Sequence, residues 1–348
     1  MCSVYQGLLL RKQTMIALLL LCACLASAKP ILQFSSEGVF RIVQITDLHF
    51  GEDRNKDDLA VSIMNTIMEL DKPDFVAFTG DMVSGGNWNH TEGWFRDQWK
   101  HWTSVVSERK IPYAYTLGNH DAEANLSRRE VIAMDMENPL SLTSLSSEAT
   151  GGASNFVVPV YSSENPSEVA MNLWFFDSED YNCYGVKGYG CIPLSVIDWY
   201  RKTSAELRVQ QKGVKKGLAF MHIPFQEYMY AFNHYPSMGR KDEGVCCQGL
   251  NTGLLAAMRE ESNILGVFAG HDHCDDYVVD FEGILLGYGR KSGVGSYGPS
   301  ADMQRGGRVF VIQEKDLKMK TYIRQEDGSV EEQKPSRKLT PMQEKCSM

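Results

Sequence analysis

Phe40-Arg41-Ile42-Val43-Gln44-Ile45-Thr46 runs without a break into Asp47-Leu48-His49. The first seven residues have the β-branched and aromatic composition of a buried strand, and the next three offer a carboxylate and an imidazole. The same order recurs four times. Residues 75–79 lead to Gly80-Asp81, 113–117 to Gly118-Asn119-His120-Asp121, 218–221 to His222, and 264–269 to Gly270-His271-Asp272-His273. Five of the eight histidines fall in these short segments. Carboxylates, an amide and imidazoles therefore gather at the carboxyl ends of strands, where sheet-based sites collect their ligands.

Outside these segments, strand-like runs lie at 156–161, 171–176, 284–288, 308–313 and 318–324, and amphipathic stretches at 57–70, 91–108, 127–136, 194–210 and 249–260. Helices fill the gaps between the early strands, and the last third is mostly strand. That order predicts a mixed α/β fold of two sheets packed face to face, with helices on the outer faces. No Pro/Gly/Ser-rich linker marks a second domain. The expected division is a targeting segment at 1–28, one domain over 29–328 and a loose polar tail over 329–348.

The donor types point to metal chemistry. In Asp47-x-His49 and His271-x-His273, alternate residues leaving a strand point to one side and can reach one ion or two neighbouring ones. Carboxylate oxygen mixed with imidazole nitrogen suits first-row transition ions rather than calcium or a thiolate zinc site. Two adjacent ions can clamp a phosphoryl group and activate water, and Asp81 is the natural carboxylate to bridge them.

Asp47-x-His49, Gly80-Asp81, Gly118-Asn119-His120-Asp121, His222 and Gly270-His271-Asp272-His273, in this order, resemble the calcineurin-like metallophosphoesterase superfamily. Within it the chain is similar to the small purple-acid-phosphatase-like group that includes the Dcr-type phosphatases. Ile45–Gly51, Trp174–Ser178 and Gly287–Arg290 support this likeness, which covers about residues 39–325. The resemblance implies a four-layer α/β/β/α sandwich. It also implies two divalent or mixed-valence transition-metal ions (Fe, Zn or Mn), the first on Asp47, His49, Asp81 and His273 and the second on Asp81, Asn119, His222 and His271. His120 would bind phosphate and assist the leaving oxygen, with Asp121 orienting its ring, while a metal-bound hydroxide attacks phosphorus. Asn119, His120 and Arg290 are the candidate substrate contacts. One departure stands out. Iron-containing purple phosphatases have a tyrosine three residues after the bridging aspartate and glycine at the position of His49; this chain has Ser84 and His49. An imidazole in place of a phenolate predicts a competent site without the purple colour.

The rest of the chain bounds the setting. Its 348 residues carry 35 Lys+Arg against 44 Asp+Glu, a net charge of -9, which argues against a general nucleic-acid binder. The partner expected is a small phosphorylated substrate. Arg11-Lys12, the apolar run from 15 to 25 and Ala26-Ser27-Ala28 read as a secretory signal peptide, too short to span a bilayer. The expected location is the secretory pathway, outside the cell or in an endolysosomal or vacuolar lumen. Of nine cysteines, six lie beyond the signal. Cys183 and Cys191 bracket a Gly/Tyr-rich loop and are the best candidate pair; Cys246 and Cys247 are expected to reach different partners, and Cys274 to be half of a disulfide. Asn89 and Asn125 head glycosylation sequons. Three functions remain to be separated: a phosphomonoesterase, a phosphodiesterase of nucleotide or phospholipid head-group diesters, and a catalytically inactive phosphate-binding protein.

Overall fold

The computed structural model describes residues 29–336 and 342–347; the targeting segment expected at 1–28 lies outside the described residues. In chain order the strands are β1 (Leu32–Gln33), β2 (Val39–Ile45), β3 (Phe75–Phe78), β4 (Tyr113–Tyr115), β5 (Phe156–Tyr161), β6 (Val169–Phe175), β7 (Tyr181–Cys183), β8 (Val186–Tyr189) and β9 (Gly217–Phe220). They continue as β10 (Ser237–Met238), β11 (Ile264–Ala269), β12 (Val278–Phe281), β13 (Ile284–Tyr288), β14 (Gly306–Gln313), β15 (Met319–Gln325), β16 (Val330–Glu331) and β17 (Pro335–Ser336). The helices are α1 (Arg54–Asp71), α2 (Trp94–Arg109), α3 (Arg128–Asp135), α4 (Leu194–Gln210), α5 (Glu227–His234) and α6 (Leu254–Glu261).

Two large mixed sheets form among the described residues. One has the order β16-β15-β14-β2-β3-β4, the other β1-β5-β6-β9-β11-β13-β12-β10-β17. In the first, β2, β3 and β4 run parallel; in the second, β6, β9, β11 and β13 do. Side-chain alternation then builds the layers. Phe40 and Ile42 of β2 meet Phe75, Phe220 and Phe268 in a core between the sheets, whereas Val43 and Ile45 face Met64, Ile67 and Trp102 of α1 and α2. On the far side, Ala219 and Val267 pack against Val196, Tyr200 and Met258 of α4 and α6. Three cores between four layers give the α/β/β/α sandwich that the strand-and-helix order predicts. Gln44, on the inter-sheet face of β2, ties the sheets together near their carboxyl ends, donating to Thr79 Oγ1 and to the Ala269 carbonyl, each at 2.9 Å.

The sequence reading misses the short strands β1, β7, β8, β10, β12, β16 and β17 and the helix α5, segments too short for a clear period. The tail also differs from expectation. β16 pairs with β15, β17 pairs with β10, and Cys346 is bonded to Cys247, so these described parts of the tail are tied to the domain by strand pairing and a covalent link. No described helix is long and apolar enough to cross a membrane.

Helix α1 begins where the Asp53 side chain accepts from the Asn55 and Lys56 amides. In its first turn Asp57 is buried and accepts from the Gly51 amide at 3.2 Å. Burial, only partly offset by that amide and by Arg54, raises its carboxyl to about 6. A carboxyl held protonated more firmly in the folded state stabilises the fold at low pH, and this contribution fades as pH rises from near 4 through about 6. Asp57→Asn is therefore expected to raise Tm by about 2–4 °C at pH 7.5 and to give no gain at pH 4, read by thermal unfolding at both values.

Candidate metal centre

The parallel strands β2, β3, β4, β9 and β11 deliver their donors to one edge, and the backbone bends sharply as it leaves them. Asp47, His49, Asp81 and His271 all have positive φ, between 53° and 78°, a conformation that costs non-glycine residues energy and clusters at functional sites. Two glycines make room. Gly80 takes φ 88°, and a Cβ on Gly118 would sit 2.1 Å from Asp81 Oδ1.

Asp47, His49 and His273 form one group with ligand atoms within 4.8 Å of one another; Asp81, His222 and His271 form a second. All six are buried. Asp81 Oδ2 stands between the groups, 3.1 Å from His222 Nε2 and 3.8 Å from His49 Nε2, while its Oδ1 accepts from the His120 amide at 2.8 Å. Asn119 Oδ1 lies 3.2 Å from His222 Nε2. The sequence-predicted ligands thus meet in two adjacent clusters, with Asp81 of the second facing His49 of the first.

The hydrogen bonds on the outer ring nitrogens show what the clusters can hold. His273 Nδ1 donates to the Tyr297 carbonyl and His222 Nδ1 to the Thr79 carbonyl. Ser84 gives its hydroxyl proton to Glu52, so its oxygen accepts from His49 Nδ1. With Nδ1 engaged as the donor, each ring in its neutral form turns an Nε2 lone pair inward. His49 and His273 Nε2 face each other at 3.2 Å, and His222 Nε2 faces two oxygens. Converging lone pairs repel unless a cation lies among them, so the donor set fits metal ions. A proton can take part of that role: burial opposes a charged His222, yet Asp81 raises it to about 9. His271 goes the other way, pushed down to about 3 by burial and by His222. Asp81 itself is held well below the usual carboxylate range, the His222 charge outweighing its burial.

His120 sits at the rim, its side chain 37% exposed, with rings 5.4 Å between centroids to His49. Its expected orienting partner is wrong. The Asp121 carboxylate turns inward and accepts from the amides of Asp81, Gly118 and Val83 at 2.8–3.0 Å, bracing the loops that carry the ligands. Glu123 instead takes the His120 ring, Oε2 to Nδ1 at 2.8 Å, because the turn after Asn119 brings residue i+3 beside the imidazole. Arg290 is also corrected as a substrate contact. It is fully buried between the sheets' ends, paired with Asp276 and Glu331 and donating to the Gln304 carbonyl.

Other supporting residues carry no sequence signal of their own. Lys291, buried, donates to the Asp47 carbonyl at 3.0 Å; Arg128 donates to the Gly118 carbonyl at 2.8 Å and pairs with Asp177. Cys183–Cys191 is bonded as expected, and adjacent Cys247 pairs with Cys346 while Cys246 stays free. Cys274 is not half of a disulfide: it is also a free thiol. Cys246 instead lies within 4.8 Å of His271 and Asp272 donor atoms, but the Asp272 carboxylate already accepts from the Cys246 amide and Tyr288 hydroxyl.

Ser84 at the position of the purple phosphatases' tyrosine is buried and occupied with His49 and Glu52. The nearby Tyr181 hydroxyl is likewise occupied, with Asn119 and Glu123. Iron-loaded protein is expected to show no tyrosinate charge-transfer band in its visible spectrum; a violet preparation would overturn this reading of His49 and Ser84.

The profile of the calcineurin-like phosphoesterases matches residues 40–275. Probable inactive purple acid phosphatase 28 of Arabidopsis thaliana is 32% identical over 303 residues, covering 77% of this chain and 74% of that protein. Probable inactive purple acid phosphatase 29 of the same plant is 28% identical, over 84% and 83% of the two chains. Phosphatase DCR2 of Saccharomyces cerevisiae is 28% identical over 71% of this chain and 46% of its own. Among solved structures, a dimetal phosphatase from Danio rerio superposes with a TM-score of 0.56 at 14% identity, over 82% of this chain and 96% of that one, a likeness of fold. With a profile match across most of the sequence and two donor clusters at the ends of its parallel strands, the chain belongs to the calcineurin-like phosphoesterase family.

Proposed function

We propose that the protein is a secreted, dinuclear metal-dependent phosphomonoesterase. The observation that carries this reading is the convergence of bare imidazole nitrogens and carboxylate oxygens in two clusters joined by Asp81. Asp47, His49, Asp81 and His273 would hold one ion; Asp81, Asn119, His222 and His271 the other. Iron, zinc and manganese all suit these donors. Bound there, the ions supply Lewis acidity toward phosphoryl oxygens and lower the pKa of water. The chain's own groups do the rest. Asp81 Oδ1 pins the His120 amide, Glu123 orients its ring, and the free Nε2 is left for the ester oxygen that departs.

The names of the relatives, purple acid phosphatase and phosphatase DCR2, favour the monoester over the diester. Two of those names also carry the word inactive, but here every proposed ligand and His120 are in place. Export is supported by two disulfides and by Asn89 and Asn125, both sequon asparagines exposed. The test is hydrolysis of an aryl phosphate against its bis-aryl ester, with and without chelator. Chelator-sensitive turnover of the monoester is expected. Faster turnover of the diester would make it a phosphodiesterase; none on either, with both ions bound, would make it a phosphate-binding protein.

A further inference from the structure

The hairpin of β7 and β8 belongs to neither large sheet. Its strands pair only with each other, Tyr181 opposite Tyr189; the Cys183–Cys191 disulfide ties the first strand to the residues after the second, and the Gly249 amide donates to the Tyr189 carbonyl. It is exposed: Tyr181 is 40% accessible and Tyr184 62%. Yet two of its tyrosines reach the second donor cluster and the neighbouring Asn119. The Tyr189 ring stands edge-on to His271 with centroids 4.3 Å apart, and the Tyr181 hydroxyl meets both Asn119 and Glu123.

The proton count on Tyr181 has a consequence. Glu123 is a carboxylate, acceptor only, and Tyr181 gives its single hydroxyl proton to Glu123 Oε1 at 3.2 Å. The phenol oxygen can then only accept from Asn119, at 3.1 Å, so the group facing it must be the NH2 end of the carboxamide. That leaves Asn119 Oδ1, the end able to ligate a metal, turned toward His222. Glu123 spends its other oxygen on His120. A single chain, His120–Glu123–Tyr181–Asn119, thus runs along the rim.

We propose that Tyr181 is a positioning residue for the second metal ion, and that the disulfide-closed hairpin is the clamp that holds its phenol against Asn119. This rests on reading Asn119 as a ligand of that ion. Reduction of Cys183–Cys191 frees an exposed hairpin that has no sheet to hold it, and the Asn119 amide loses the partner that fixes its orientation.

The test is calorimetric titration of metal-free full-length protein with manganese alone. Wild type is expected to bind two ions, and Tyr181→Phe to bind the first normally and the second about 10–100-fold more weakly, the usual effect of losing a group that orients a ligand. Glu123→Gln is a second probe should Tyr181→Phe fail to fold. Its NH2 can donate to Tyr181, which lets the phenol donate to Asn119 and turn the amide round, so the second ion should again weaken. Cys183→Ser/Cys191→Ser should match the loss in Tyr181→Phe and add nothing to it. Unchanged second-ion affinity in Tyr181→Phe, or in Glu123→Gln where only that variant folds, overturns the proposal, and so do additive losses. A wild type that binds both ions but hydrolyses no phosphoester would sink the phosphatase reading and leave this titration decisive.

Discussion

Asp81→Asn is expected to lower kcat/KM for an aryl phosphate by about a thousandfold or more, and to leave the protein with at most one tightly bound ion. The substitution is close to isosteric, and asparagine accepts the left-handed backbone at this position, φ 54°, at least as readily as aspartate. The fold should therefore survive, and an amide oxygen can still take the His120 amide that Asp81 Oδ1 accepts now. What disappears is charge. Two doubly charged ions a few Å apart repel by on the order of 20 kcal/mol even at an effective dielectric constant of 20. Among the clustered donors only Asp47 and Asp81 are anionic, and Asp81 alone stands between the clusters, near both His49 and His222. Asp47 is already engaged elsewhere: its carboxylate accepts from the Thr46 hydroxyl and the His271 amide and stands 3.4 Å from His273 Nε2 in the first cluster. Metal content by elemental analysis, read beside activity, decides: two equivalents and near-normal turnover would show that Asp81 does not bridge.

How much of this was legible beforehand follows from the kind of signal each residue carries. The seven donors are readable because each sits at the end of a strand with its own composition, as in the run from Phe40 to His49, and because five such ends recur in order. The layers follow from the same alternation. Glu123, Tyr181 and Lys291 were not readable as parts of the site. Their roles arise from loop geometry: a turn that places Glu123 beside His120, a hairpin that lays Tyr181 over Asn119, and a crossover that buries Lys291 under Asp47. Asp121 misled for the opposite reason. Adjacent to His120 in sequence, it points away from the ring because three backbone amides of the ligand loops need an acceptor. Arg290, a candidate substrate contact by sequence, is buried instead with its guanidinium against Asp276. Adjacency along the chain is a poor guide to which group orients a catalytic ring; a carboxylate at i+3 in a turn is a better one.

His120→Ala carries the second large effect, and its dependence on the leaving group separates the two roles open to this residue. Burial works against a charged ring, but Asp81 and Glu123 raise its pKa, so the proton is held at a pH where it can be given to a departing oxygen. If His120 delivers that proton, its loss should cost about 10²–10⁴ in kcat on an alkyl phosphate, whose alkoxide leaves poorly unprotonated. On p-nitrophenyl phosphate, whose phenolate needs little help, the cost should fall to about tenfold. Both ions should remain bound, because the ring lies at the rim outside both donor clusters. With metal saturating, Glu123→Gln should fall between wild type and His120→Ala on the alkyl ester, since glutamine can still meet Nδ1 but no longer supports the charged ring. An equal loss on both esters would assign His120 to holding the phosphate through binding and transition-state charge, and would remove it as the source of the proton.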